Sequence, residues 1–225
     1  MKINAAQNRK KANGFSLVEM MITIAIIIII AAISVMTLMP LLKQQHVINA
    51  YDTTLSVMRQ ARDCAVTQRT AYSMTFSTTA TPNTITVASV APSSGTANLT
   101  GISCAGTYQL PTDTQFLAQT GLPITAATAP DNYYNSSLQA VDLGYAANGY
   151  TSGVQTVYFC PDGSAQNAQD GTGNCSGSWD GGVVYIAQSG NLLSSRALTL
   201  WGGTGRIHGW RLYPLSGGGY QWVRQ

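Results

Sequence analysis

Gly14-Phe15-Ser16-Leu17-Val18-Glu19 opens an apolar run, Met20 to Met39, and its reading decides how the rest of the chain is organised. From Met20 to Leu42, roughly 23 residues pass without a charge. Five consecutive isoleucines, Ile26 to Ile30, stand near its centre. A stretch of this length and composition is long enough to cross a bilayer as a helix.

The flanks set its direction. Residues 1–14 carry Lys2, Arg9, Lys10 and Lys11 and no acid, so the positive-inside bias keeps this leader in the cytoplasm and sends the C-terminal part outward. In a secretory signal the small cleavage residues follow the apolar region. Here Gly14 precedes it, and cutting after Gly14 leaves the helix in the mature chain. Glu19 then becomes a carboxylate at the edge of hydrocarbon, where an ionisable group is costly and calls for a partner. The helix dipole favours its charge in the first turn, and the new α-amino group of Phe15 on a neighbouring subunit is a fitting counter-ion.

The segment Gly14-Phe15-Ser16-Leu17-Val18-Glu19-Met20-Met21-Ile22 closely resembles the cleavage and methylation site of type IV pilins and pseudopilins. The resemblance implies that a prepilin peptidase cuts after Gly14, that Phe15 becomes N-methylated, and that Glu19 serves filament assembly. Other minor and major pilins or pseudopilins are the implied partners, first in the inner membrane and then in a pilus or pseudopilus.

Four parts follow: a leader (1–14), a transmembrane or filament-core helix (15–42), an amphipathic continuation (43–69) and a periplasmic β-rich domain (70–225). In the continuation, Ile48, Tyr51, Leu55, Met58, Ala61 and Ala65 recur at three- and four-residue spacing, with Asn49, Asp52, Arg59 and Arg62 on other faces. The expected helix, Phe15 to about Gln68, is roughly 80 Å long. Pro40 falls inside it and predicts a kink; the alternative is that the helix ends there.

About 155 residues remain, enough for one domain with its own core. Charged residues are only 9% of the chain, a pattern of secreted, turn-rich β structure rather than of a cytosolic enzyme. The net charge of +3 includes four basic residues of the leader, leaving eight basic against nine acidic in the mature chain. Overall charge therefore argues for no polyanionic partner. After Asp180, however, every charged residue is an arginine: Arg196, Arg206, Arg211 and Arg224.

Cys64, Cys104, Cys160 and Cys175 would lie in an oxidising compartment, and three pairings are open. Cys160 with Cys175 is favoured because it closes the apolar-poor loop Pro161 to Asn174, worth about 3 kcal/mol in the chain-entropy model. Cys64 is left with Cys104, tying the helix to the following loop. Zinc is not indicated, since no C-x-x-C pair occurs and only His46 and His208 could assist. Asp162, Asp170 and Asp180 with Asn167 and Asn174 supply oxygens for calcium but fit no EF-hand loop. No catalytic constellation stands out, and no cofactor is implied.

After Arg69 the period becomes two. Tyr72, Met74 and Phe76 alternate with polar residues, as do Ile85 and Val87, with Pro82-Asn83 as the turn of a first hairpin. Residues 92–107 and 121–153 read as long irregular regions. Further strands are expected over Val154–Phe159, Val183–Ala187 and Arg196–Leu200. Gly202-Gly203-Thr204-Gly205 precedes a strand rather than a helix and reads as a turn, not a phosphate loop.

Phe159 followed by Pro161-Asp162-Gly163, two strands and a terminal Gly-Arg resembles the GspH/FimT branch of minor pilins and pseudopilins. That resemblance implies an α+β pilin-like fold, a long N-terminal α-helix packed on C-terminal antiparallel β-sheet. The segment Gly205-Arg206-Ile207-His208-Gly209-Trp210-Arg211 resembles the branch's C-terminal Gly-Arg-x-Arg, which in some pilus members binds DNA for uptake; here His208 stands at the second arginine position. Arg206, His208, Arg211 and Arg224 are the implied DNA contacts, with Trp210, Tyr220 and Trp222 for stacking. The alternative is a strand whose aromatics face the core and whose arginines face water. The expected function is that of a minor type IV pilin that initiates or caps a filament, with a type II secretion pseudopilin or a DNA-binding pilin for transformation as alternatives.

Overall fold

Helix α1 (Leu17–Gln68) starts immediately after Phe15 and Ser16 and runs through Pro40 rather than ending there. The computed structural model describes residues 15–90, 104–134, 138–146, 149–170 and 174–225. The leader with Gly14 and most of the loop 91–107 lie outside the described residues. The chain divides into two compact units, Met1–Leu42 and Lys43–Gln225.

In the first unit every described side chain from Phe15 to Leu42 is exposed. Thr23 and Ser34 turn their hydroxyls back onto the carbonyls of Met20 and Ile30. They thereby present no unpaired polar group to an apolar surrounding. The helix is long and apolar enough to cross a membrane, with a mean hydropathy of 2.8 over its most apolar window.

The second unit is built from two antiparallel sheets, with the helix from Lys43 onward packed on them. Strands β1 (Tyr72–Ser77), β2 (Thr84–Ser89), β3 (Gly106–Gln109), β7 (Thr156–Phe159) and β8 (Ala165–Gln166) form the first sheet, in the order β3-β2-β1-β7-β8. The second has the order β12-β11-β10-β9-β5-β6, from β5 (Val141–Ala146), β6 (Gly149–Tyr150), β9 (Asp180–Ala187), β10 (Arg196–Trp201), β11 (Arg206–Pro214) and β12 (Tyr220–Arg224). The short β4 (Gln115–Phe116) pairs with the end of β9. The β1–β2 hairpin aligns Met74 with Val87 and Phe76 with Ile85, so the alternation legible in the sequence places its apolar members on one face.

Two apolar clusters hold this unit together. In the larger, Ala50, Tyr51, Val57, Met58, Ala61 and Ala65 of α1 meet Met74, Phe76 and Ile85 of the first sheet and Val184, Ile186, Leu198, Leu200 and Ile207 of the second. The buried helical stripe begins at Val47, while Ile48 is exposed, one position from the expected phase. The second cluster covers the other face of the second sheet, where Val183, Tyr185, Ala197 and Leu212 pack with Leu122, Tyr133, Trp210 and Trp222. Helix and sheet pack tightly at Gly209, where any Cβ would collide with the Tyr51 hydroxyl.

The structure corrects the reading of residues 121–153 as irregular. β5 lies inside that span and pairs with β9 along the interior of the second sheet. Val141, Asp142, Leu143 and Gly144 are all buried, as is every residue of β9. A strand covered on both faces shows no period-two signature. Leu122 and Ile124, in the same span, help cover the outer face of the sheet.

Candidate functional site

Two regions carry the candidate residues, and each is described within its own unit. At the N-terminus, Phe15 is 75% exposed. The Met20 amide donates to Ser16 O at 3.2 Å, closing the first turn. Glu19 lies in that turn, where unpaired amides and the dipole favour a carboxylate. It is the one ionisable residue of the described stretch 15–42. An apolar helix exposed on all sides is stable only in lipid or against other helices.

The second region is a cleft of about 780 Å³ at the edge of the Lys43–Gln225 unit, lined among others by Arg59, Arg62, Asp131, Trp201, Arg206 and His208. Arg59 and Arg62 reach it because they stand three apart on one face of α1. Arg62 donates through Nε to Gly163 O and through Nη2 to Thr204 O, both at 3.1 Å, joining the 161–163 turn to the 202–205 turn. Gly205, at φ +60°, lets the chain pass against Gly163 and the Arg62 side chain. Trp201 is half exposed at the rim.

His208, an implied DNA contact, is engaged within the domain. Its Nδ1 donates to Asp131 Oδ2 at 2.8 Å, and its side chain is only 12% exposed. Thr199 Oγ1 donates to the same carboxylate oxygen, and Trp210 Nε1 donates to Thr199 Oγ1 at 3.0 Å. This network fastens the Pro130–Asn132 turn to the sheet and engages the imidazole internally.

The four sequence candidates do not converge. Arg206 and His208 line the cleft. Arg224 pairs with Trp210 across β11 and β12, on the same sheet face as His208. Arg211, one position out of phase with Trp210, lies on the opposite face, opposite Arg196. Trp222 donates through Nε1 to Pro123 O and stacks near Tyr185. With Trp210 and Tyr220 it packs against the second cluster, as in the reading with core-facing aromatics. Arg196 departs from that reading, because it is buried. Arg59, Arg62, Asp131 and Trp201 were not among the sequence candidates; the i, i+3 arginine pair was the one signal available for them.

The structure joins Cys160 to Cys175 and Cys64 to Cys104. The second bridge ties α1 to the segment leading into β3. Of the calcium candidates, Asp170 accepts from the Asn174 amide, while Asp162 accepts from Ser164, Asn167 from the Ser178 amide, and Asp180 is buried at the start of β9. Among the described residues no three His, Cys, Asp or Glu side chains come together as metal ligands.

Residues 9–35 match the family model of the prokaryotic N-terminal methylation motif. The chain carries a type IV prepilin-like signal. That signal covers the junction at Gly14-Phe15, Glu19 and most of the apolar helix, and it agrees with the pilin-like layout of one long helix packed on antiparallel sheets. No curated protein and no solved structure matches this chain.

Proposed function

We propose that this pilin-like chain is a minor type IV pilin of the GspH/FimT branch that initiates or caps a pilus filament. It enters the inner membrane with its C-terminal domain in the periplasm, is cut after Gly14 by a prepilin peptidase and is methylated on Phe15. It joins other pilins through Phe15, Glu19 and the apolar helix. The observation that carries this reading is the helix whose described side chains from Phe15 to Leu42 are all exposed, with Glu19 as its one ionisable group, under the methylation motif that spans residues 9–35. A carboxylate in apolar surroundings is stabilised by an opposite charge, which the cleaved N-terminus of a neighbour supplies.

The test separates processing from assembly. Glu19→Ala should be cleaved to the wild-type mature mass yet be depleted from sheared pili. Normal incorporation of that variant would remove the docking argument. Loss of surface pili in a strain lacking the gene supports the pilus role; unchanged pili with reduced enzyme secretion supports the pseudopilin of a type II secretion machine.

A second reading, DNA binding for transformation, is favoured by one observation: Arg59, Arg62 and Arg206 share a cleft with the half-exposed Trp201. Arginines for phosphates beside an aromatic face suit a single strand, with strong salt dependence. A gel shift that weakens with salt and with Arg59→Ala and Arg206→Ala supports it, and no shift at low salt refutes it.

A further inference from the structure

Arg196 and Arg211 stand directly opposite each other across β10 and β11. Like charges in directly paired positions destabilise a sheet, and here one of them is also removed from water: Arg196 is 8% exposed. Its Nη1 donates to Ser194 O at 3.2 Å and Ser195 O at 3.1 Å. These carbonyl dipoles do not neutralise the charge. Among the described residues no carboxylate lies within ion-pair distance of either guanidinium. Burial, then the neighbouring Arg211 charge, lowers the Arg196 pKa, the response of a cation that lacks a counter-ion. Arg211 is exposed and lies 5.1 Å over the Tyr213 ring.

Both arginines open onto one cavity of about 320 Å³, with walls that include Val47, Ile48, Leu193 and Pro214 and with no acidic residue in its lining. Its size is at the lower end for small-ligand sites, too small for a polymer strand to thread. Two guanidinium forks present planar donor pairs that match an oxyanion. The apolar walls favour an anion with a carbon stem and a single charge over a strongly hydrated phosphate.

We infer that this cavity is a carboxylate-binding site, with Arg196 and Arg211 as the paired donors and the Val47, Ile48 and Leu193 wall holding the aliphatic stem. The carboxylate comes either from an acidic side chain of a neighbouring subunit or from a free small carboxylic acid. The site itself is independent of the filament reading; only the subunit source rests on it.

The experiment uses the full chain in detergent micelles, with its thermal midpoint followed by near-ultraviolet circular dichroism. Sodium butyrate should raise the midpoint by about 2–4 °C relative to sodium chloride at equal ionic strength, and inorganic phosphate should raise it less. Arg211→Gln, on an exposed position, should abolish the butyrate shift. Arg224→Gln, on the opposite sheet face, should retain it. An absent butyrate shift, a shift that survives Arg211→Gln, or a larger phosphate shift overturns the assignment. In cells, Arg211→Gln depleted from sheared filaments identifies a neighbouring subunit as the source. Wild-type incorporation of that variant identifies a free carboxylate. Wild-type chain missing from filaments refutes the filament reading and leaves the butyrate result standing on its own.

Discussion

Replacing Asp180 by Asn should change the pH dependence of stability more than any other conservative substitution in the domain. Asp180 begins β9, is 1% exposed and forms no ion pair among the described residues. Burial pushes its carboxyl up to about 7, the Asp142 charge adds to the rise, and the Gly181 amide opposes it. The folded state therefore holds a proton that the unfolded chain, titrating near 3.8, has already lost. Between those values the native state binds more protons, so this group's contribution is fully present below about pH 4 and is lost as pH rises through about 7.

A shift of about three pH units corresponds to a ceiling of about 4 kcal/mol. Asn keeps the shape and removes the titration. Its stability gain over wild type should be near zero at pH 4, grow by up to about 1.4 kcal/mol per pH unit, and level off above pH 7. Asp142, whose carboxyl burial also raises, is common to both proteins and enters the difference only through its coupling to Asp180. The Lys43–Gln225 unit contains both apolar clusters and both disulfides, so urea unfolding of that unit at a series of pH values between 4 and 8 is a suitable assay. A difference that stays constant over this range would refute the reasoning, because only the ionisation of Asp180 makes the two side chains diverge with pH.

Other consequences are open to the same measurement. Replacing Cys160 and Cys175 together by Ser should lower stability by about 3 kcal/mol in the chain-entropy model for a loop of this size, and an unchanged denaturation midpoint counts against it. Gly209→Ala should cost about 1–3 kcal/mol by forcing Tyr51 out of its packed position; Tyr51→Phe in the same chain should recover part of that loss, and no recovery points to a different cause. Arg62→Ala should cost about 1–3 kcal/mol through two lost hydrogen bonds to the Gly163 and Thr204 carbonyls, read as a lower midpoint in urea.

Residues 14–42 needed little tertiary information. A basic leader, Gly14-Phe15, Glu19 and a long uncharged run describe a helix long and apolar enough to cross a membrane because its length, polarity and the place of its one charge are local properties. The amphipathic continuation was legible to within one residue, with Val47 rather than Ile48 beginning the buried stripe, because three- and four-residue spacing defines a face but not its edge. The β1–β2 hairpin was legible for the same local reason: one face of each strand meets the core.

What only the tertiary structure decided depends on pairings between distant residues. β1 lies beside β7, and β5 runs through the second sheet buried on both faces, which removes the alternation by which strands are recognised; β9, equally buried, was legible only as an apolar, β-branched run at Val183–Ala187. Arg206 and Arg211 look like one basic motif in sequence, yet a five-residue offset in an extended strand puts them on opposite faces. There the fold gives Arg206 to the cleft with Arg59 and Arg62, and Arg211 to the cavity with Arg196. His208 reads as a free basic group until the Pro130–Asn132 turn brings Asp131 against it from 77 residues away. Local spacing determined the apolar helix and the place of Glu19 in its first turn; the partners of each later charge were decided by strand register and by which distant loop folds over it.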